Sequence, residues 1–172
     1  MCGIAGIVGP AASRDSVSRM VGALRRRGPD DSGVWLDNEG RVALGHARLS
    51  IIDLSRAGHQ PMISADGNCA IVFNGEVYNY RELRAELEAL GAVFGSHSDT
   101  EVVLWGWRIW GKAALARFRG MFAFAVWDRL ASTLTLVRDR MGIKPLLWYQ
   151  GENNLVFGSS LKALLASGAV PR

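Results

Sequence analysis

The sequence predicts an α+β domain in which stacked sheets are covered by helices. Short apolar runs bounded by Gly, Asn, Asp or Pro recur early and late in the 172 residues, as strands do. Segments of helical period lie between the early runs and the late ones. Glycine accounts for 20 residues, a larger share than the usual ~7%, which implies many turns or close backbone approaches.

Gly3 to Val8 reads as the first strand. Behind the capping candidates Ser13 and Asp15, Val17, Met20, Val21 and Leu24 recur at i, i+3, i+4 and i+7 and predict a one-sided helix. Val42 to Ala47 and Cys69 to Phe73 are the next strands. From Tyr80 to Leu90 a second helix places Leu83, Leu87 and Leu90 on one stripe and leaves Arg81, Arg84, Glu86 and Glu88 to solvent. Asn79 and Glu82 have the spacing of a capping box at its start. Ser98 and Glu101 repeat that spacing ahead of a third helix, which runs through Val102, Val103 and Leu104 to Gly111. Its Trp105, Trp107 and Trp110 cannot share one face, so something besides its own sheet should cover it, either core or a docking partner. A short helix around Lys112 to Phe118 precedes strand runs at Met121 to Trp127, Thr133 to Val137, Leu146 to Tyr149 and Leu155 to Gly158. The closing helix, Leu161 to Ala166, stops before Gly168 and Pro171. No repeat, low-complexity stretch or linker divides the chain, which reads as one domain over residues 1–172.

Composition narrows the function classes. Hydrophobic residues make up 49% and charged residues 21%, enough for a sizeable core and far from a disordered composition. The net charge is +4, and the basic residues are scattered apart from Arg25-Arg26-Arg27 and the pair Arg138, Arg140 near Lys144. A nucleic-acid surface shows a denser stripe with interleaved aromatics, so no nucleic-acid partner is expected. No apolar run approaches the roughly 20 residues of a membrane helix, and no charged flank leads into an apolar signal segment. The expected location is the cytoplasm, with no membrane partner. Cys2 and Cys69 lie too far apart and in the wrong context to suggest a disulfide framework or a zinc cluster. Cys69, opening an apolar strand, reads as a buried small hydrophobe. His46, His59 and His97 lack metal-ligand spacing, so no metal is expected.

Cys2 is the residue that carries chemistry. Removal of the initiator methionine would leave its thiol beside a free α-amino group, which titrates near 7.7 to 8.0 and can take the thiol proton. Nucleophile and base then share one residue, with no separate histidine needed. Taken alone, Cys2 is a small residue at an ordinary N-terminus. The Gly-rich strand Gly3 to Gly9 starting beside it, however, would carry the terminus into a sheet, where termini rarely go.

Several spaced motifs then resemble one family. Met1-Cys2-Gly3-Ile4-Ala5-Gly6-Ile7, Arg27-Gly28-Pro29-Asp30-Asp31-Ser32-Gly33, the run His46 to Asp53, Phe73-Asn74-Gly75-Glu76-Val77-Tyr78-Asn79 and Ser98-Asp99-Thr100-Glu101 are similar to the glutaminase domain of glutamine-hydrolysing asparagine synthetases. The likeness continues through Gly120 to Ala125 and Arg138 to Leu146, and so covers essentially the whole chain. Pro29 and the run from His46 to Asp53 resemble that branch of the class II glutamine amidotransferases more than the sugar-phosphate or purine-pathway branches.

The resemblance implies a four-layer αββα sandwich of the N-terminal-nucleophile hydrolase type, and an enzyme in which Cys2 attacks the glutamine side-chain amide. Ammonia leaves, and water hydrolyses the thioester to glutamate. The Asn74 side chain and the Gly75 amide would stabilise the oxyanion. By itself Asn74-Gly75 after a strand reads as a type I′ hairpin turn, which is compatible with presenting a backbone amide. Arg48 would pair with the α-carboxylate of L-glutamine and Asp99 with its α-ammonium. Leu49, Ser50, Ile51 and Ile52 would line the substrate, and Glu76 would add an acceptor. Without that likeness, Asp99 reads as a first-turn helix carboxylate and Arg48 as a surface arginine. The loop from Arg27 to Gly33 is either a polar turn around Pro29 or, by resemblance, a wall near the ammonia exit.

Such enzymes continue into an ATP-using synthetase domain with a Ser-Gly-Gly-x-Asp-Ser loop, which this sequence lacks. The expectation is that the chain is the ammonia-supplying half of a longer or two-chain enzyme, a homodimer in its full-length form. ATP and Mg would serve only that other half, and no cofactor is expected for this one. Two alternatives stay open: a related amidotransferase with a different carboxylate acceptor, and a non-hydrolysing binding domain of the same fold.

Overall fold

Side-chain alternation along nine strands sorts the chain into four layers. The computed structural model describes residues 1–171. In chain order, β1 (Gly3–Val8), α1 (Arg14–Leu24), β2 (Asp31–Leu36), β3 (Val42–Arg48), β4 (Met62–Ile63) and β5 (Cys69–Val77) form the first half. Next come α2 (Tyr80–Ala89), α3 (Asp99–Trp110), α4 (Ala114–Arg117), β6 (Gly120–Asp128), β7 (Thr133–Arg138), β8 (Leu147–Gln150), β9 (Leu155–Gly158) and α5 (Leu161–Ala166). One antiparallel sheet has the order β2-β3-β1-β9-β8 and the other β4-β5-β6-β7.

The first sheet turns Ala5, Ile7, Ala43, Ala47 and Val156 outward against Val17, Met20, Val21 and Leu24 of α1 and Ala163 and Leu164 of α5. The second turns Ile71, Phe73, Phe122 and Phe124 outward against Leu83 and Leu87 of α2 and Val102 and Val103 of α3. Between the sheets lie Ile4, Val42, Leu44, Ala70, Val72, Ala123, Ala125, Trp127 and Phe157. Residues of one parity along each strand therefore fill the inner layer, and residues of the other parity fill an outer one. This is the αββα sandwich expected from the sequence.

The start of α1 follows its cap: Ser13 accepts a hydrogen bond from the Ser16 amide at 3.1 Å. Ser98 likewise caps α3, accepting from the Thr100 amide at 3.2 Å, but the capping box is not closed. Glu101 instead accepts from the Gly95 and Ser96 amides and so braces the preceding loop. Asn79 does not cap α2. Its side chain donates to the Arg117 carbonyl and accepts from the Arg119 amide, both at 3.0 Å, fastening the end of β5 to the turn before β6. The three tryptophans of α3 belong to the outer core. Trp107 stands edge-on to Phe124 at 6.1 Å, and the Arg108 and Arg117 guanidinium groups lie over Trp105 and Trp110. Arginine lids on half-buried rings explain how one helix carries tryptophan on several faces.

Three strands depart from the sequence reading: β2 and the two-residue β4 go unread, and β5 runs further than expected. Asp31–Leu36 is a strand paired along the whole of β3, so the polar turn around Pro29 ends at Asp30. Its irregular polarity, with one neighbour and a half-exposed face, hides the period. Asn74-Gly75 is not a hairpin turn, because β5 runs on to Val77 with Asn74 opposite Ala123 and Gly75 opposite Phe122. The strand β6 is long enough to keep pairing past the point where an Asn-Gly pair would otherwise turn.

Gly6 marks how closely the inner layer is packed. A Cβ there would sit 2.3 Å from the Phe157 ring, and Phe157 is fully buried. Gly6→Ala should therefore destabilise the domain by about 1–3 kcal/mol through overpacking. Its urea midpoint should fall, whereas an unchanged midpoint would show that the ring has room to shift.

Candidate active site

The inner parity of three strands continues past the apolar layer into polar residues. Ile4 leads back to Cys2, Val42 and Leu44 lead on to His46 and Arg48, and Ala70 and Val72 lead on to Asn74 and Glu76. Their ends frame a cavity of about 180 Å³ at one rim of the sandwich. Its walls hold Cys2, Arg48, Leu49, Ile51, Ile52, Asn74, Gly75, Glu76 and Asp99. Of the site residues read from sequence, only Ser50 is not in the wall. Its amide donates to Asp30 at 2.8 Å, and it faces a neighbouring groove.

Cys2 precedes the first ladder pair, Gly3 with Ala47, and is held from two sides. The Arg27 guanidinium Nε donates to the Cys2 carbonyl at 3.0 Å, and the Leu49 amide donates to Sγ at 3.3 Å. Burial pushes the thiol above its ordinary value, and the Leu49 contact and the positive charges of the N-terminus and Arg48 only partly offset it. Sγ is thus a thiol at neutral pH, and a base must remove its proton before it attacks.

Arg48 is buried with its guanidinium fixed by backbone carbonyls. Nη1 donates to Ser55 at 2.9 Å and Nη2 donates to Asp53. The segment carrying those carbonyls is itself pinned, because the Asp53 carboxylate accepts from the Ser55 and His97 amides. A guanidinium has five N–H donors, so Arg48 keeps donors for an anion in the cavity.

Asp99, in the first turn of α3, lies against the β5 edge and accepts from the Val77 amide at 3.0 Å. Burial pushes its carboxyl up to about 6, with the Glu76 charge adding to the effect. Two carboxylates in the wall of one cavity, one of them raised in this way, make a receptor for a cation.

Asn74 is almost completely buried, and its Nδ2 has no hydrogen-bond partner among the described residues. A buried amide without a partner costs stability, and in a cavity wall it is a donor held ready for a ligand. The next residue must be glycine. A Cβ at Gly75 would fall 2.4 Å from the Met121 carbonyl oxygen and 2.6 Å from the Phe122 Cα.

Beyond the site residues read from sequence, the wall also holds Met1, Asp53, Gly58, Gln60, Phe73, Ser98, Thr100, Met121 and Lys144. All of these but Gly58 and Gln60 lie within motifs quoted above. Gln60 gave no signal, since a glutamine before a proline in a polar segment reads as loop. In sequence Arg27 reads as part of a polar turn, and only the fold shows it reaching the Cys2 carbonyl.

The chain matches the model of the glutamine amidotransferase domain family over residues 1–172. It is 41% identical over 172 residues to asparagine synthetase (glutamine-hydrolyzing) 3 of Bacillus subtilis strain 168, a match covering 96% of this chain and 28% of that protein. It is 38% identical over 178 residues to asparagine synthetase (glutamine-hydrolyzing) 2 of the same strain, covering all of this chain and 23% of that one. The chain thus spans roughly a quarter of the length of these curated relatives. Among solved structures, the glutamine phosphoribosylpyrophosphate amidotransferase of B. subtilis superposes with a TM-score of 0.81 at 23% identity, over 97% of this chain and 44% of that one. That likeness shows the fold, the four-layer αββα sandwich.

The raised carboxyl of Asp99 has a consequence for stability. Unfolded, the group titrates near 3.8, and folded near 6, so between those values the folded state binds more protons. Stability should then fall as pH rises through that window. Asp99→Asn cannot ionise and should lack the slope. Urea midpoints of the two proteins should agree near pH 4 and separate by pH 7, with Asp99→Asn the more stable. A wild-type midpoint at pH 7 equal to the variant's would contradict the shift.

Proposed function

The chain belongs to the glutamine amidotransferase domain family, and on that premise we propose that it hydrolyses glutamine through a Cys2 thioester and hands the ammonia to an ATP-using asparagine synthetase domain or partner. One observation carries the reading. The unpaired, buried Asn74 amide shares a small cavity with the Cys2 thiol, a fixed arginine and a raised carboxyl. An amino acid with a side-chain amide meets all four.

With Met1 removed, the Cys2 α-amine takes the thiol proton, and Sγ adds to the side-chain carbonyl carbon. The oxygen that becomes negative is met by the Asn74 Nδ2 and the Gly75 N–H, donors in place before the charge develops. Collapse breaks the C–N bond, and the proton held on the amine leaves with the nitrogen as ammonia. Water then adds to the thioester and releases glutamate with the thiol restored. Arg48 holds the α-carboxylate, and Asp99 with Glu76 holds the α-ammonium. Leu49, Ile51 and Ile52 close the wall. Ser50 serves this wall only by anchoring its own segment through Asp30.

Apart from glutamine and water, every group in this sequence of steps is a side chain, backbone amide or α-amine of the chain itself, so we assign no cofactor to the hydrolysis. ATP and Mg belong with the synthetase. The cytoplasm is the compartment we assign, in keeping with two free thiols. No helix among the described residues is long and apolar enough to cross a membrane.

Intact mass of the untagged chain before and after 6-diazo-5-oxo-L-norleucine, a glutamine analogue that alkylates such nucleophiles, tests the reading. One adduct mapped to Cys2 in protein lacking Met1 is the expected result, and adducts elsewhere or none would oppose it. Asn74→Ala should lower kcat for glutamine hydrolysis by about 100- to 1,000-fold. A loss confined to KM would remove Asn74 from the oxyanion site.

A further inference from the structure

The strand β5 loses its neighbour just where the chemistry begins. Its pairing with β4 consists of Ile71 with Met62 and Ala70 with Ile63, and it stops there. Backbone N–H groups of alternate residues point to the same edge of a strand, so the amides of Phe73, Gly75 and Val77 all face the edge that β4 leaves open. A buried amide without an acceptor is costly, and two of the three are met by side chains. The Phe73 N–H donates to Oε1 of Gln60 at 2.6 Å, and the Val77 N–H donates to Asp99 at 3.0 Å. Only the amide between them, that of Gly75, is left facing the cavity.

Gln60 stands where β4 would continue, two residues before Met62 as Phe73 is two residues after Ile71. Pro61 has no N–H to extend the ladder, and the Gln60 side chain takes over that function. The side chain is buried and bound at both ends, since its Nε2 donates to Thr100 Oγ1 at 3.1 Å. Thr100 follows Asp99 in α3. The Phe73 carbonyl is held as well. His46 is fully buried, burial pushes it down to about 3, and its neutral ring donates from Nε2 to that oxygen at 3.0 Å. Both polar atoms of residue 73, which directly precedes Asn74, are thereby fixed.

We propose that Gln60 is a positioning residue of the oxyanion site, substituting for a missing strand so that the Asn74 side chain and the Gly75 amide keep their aim. It also ties that site through Thr100 to the helix turn that carries Asp99. The proposal rests on the glutaminase reading and adds a residue that touches neither the nucleophile nor the reacting amide. A positioning role predicts damage in the transition state rather than in glutamine binding, since the oxyanion exists only there.

Gln60→Met keeps the volume and removes both hydrogen bonds. Its kcat for glutamine hydrolysis should fall about 10- to 100-fold, with KM within about threefold of wild type, because misplaced donors lose transition-state stabilisation first. Gln60→Glu retains an acceptor for the Phe73 amide and can accept from the Thr100 hydroxyl, so it should recover most of that kcat. Should Gln60→Met not fold, Thr100→Val, which frees only the far end of Gln60, should show the same split in weaker form. Wild-type kcat in folded Gln60→Met, KM rising in step with falling kcat, or Gln60→Glu as slow as Gln60→Met would each overturn the assignment. Failure of the underlying reading is seen separately, in wild-type chain that neither hydrolyses glutamine nor takes an adduct on Cys2, and it would overturn both.

Discussion

An unpaired strand edge inside a protein is the constraint from which the rest of the site follows. The second sheet ends its β4 ladder after two residues while β5 runs on for six more, so a row of amides enters the space between the sheets without a strand to receive them. Two are capped by side chains brought from elsewhere, Gln60 from the β3–β4 connection and Asp99 from α3. The third is free. A donor that is free and only half-exposed to water is what an oxyanion requires, and the fold produces it by leaving out a strand rather than by adding a special loop.

The inner layer explains why these groups meet Cys2. Apolar residues of one parity hold the sheets together through Ile4, Leu44 and Val72, and the same parity carried a few residues further delivers Cys2, Arg48 and Asn74 to one rim. Nothing but strand alternation is needed to converge three side chains from three strands. The energy for it comes from the apolar part, where each fully buried large side chain contributes about 1.5–3 kcal/mol. That surplus offsets an orphaned Asn74 amide, a buried neutral His46 and a carboxyl that would ionise more readily in water.

The legibility of the sequence divides along physical lines. Helical periodicity exposed α1, which buries one face, and bounded apolar runs exposed the strands β1, β3, β6 and β9, which are buried on both faces. Neither signal exposed β2, whose polarity is irregular, or the two-residue β4, which is too short to have a period. Asn74-Gly75 carries two messages in one dipeptide, and local turn chemistry lost to the long pairing of β5 with β6. The cavity residues with a strong motif were readable, but Gln60 was not. Its importance depends on where a strand ends, a property of tertiary pairing that no local pattern encodes.

The position of Cys2 completes the logic. β1 is the central strand of its sheet, paired with β3 from Gly3 and with β9 from Ala5, so the strand that follows Cys2 is held by ladders on both sides. The β9 side is drawn close by Ser159, whose hydroxyl accepts from the Ile4 amide at 3.0 Å and whose amide donates to the Ile4 carbonyl at 2.9 Å. Cys2 lies just past the ladder and is held only by Arg27 and the Leu49 backbone. An α-amine acting as base must reach its own thiol and then the leaving nitrogen, which needs a residue fixed in place but not locked into strand pairing. A terminus one residue beyond a central strand meets both demands, whereas a terminus on an edge strand would fray and one within the ladder would bury its amine among hydrogen bonds.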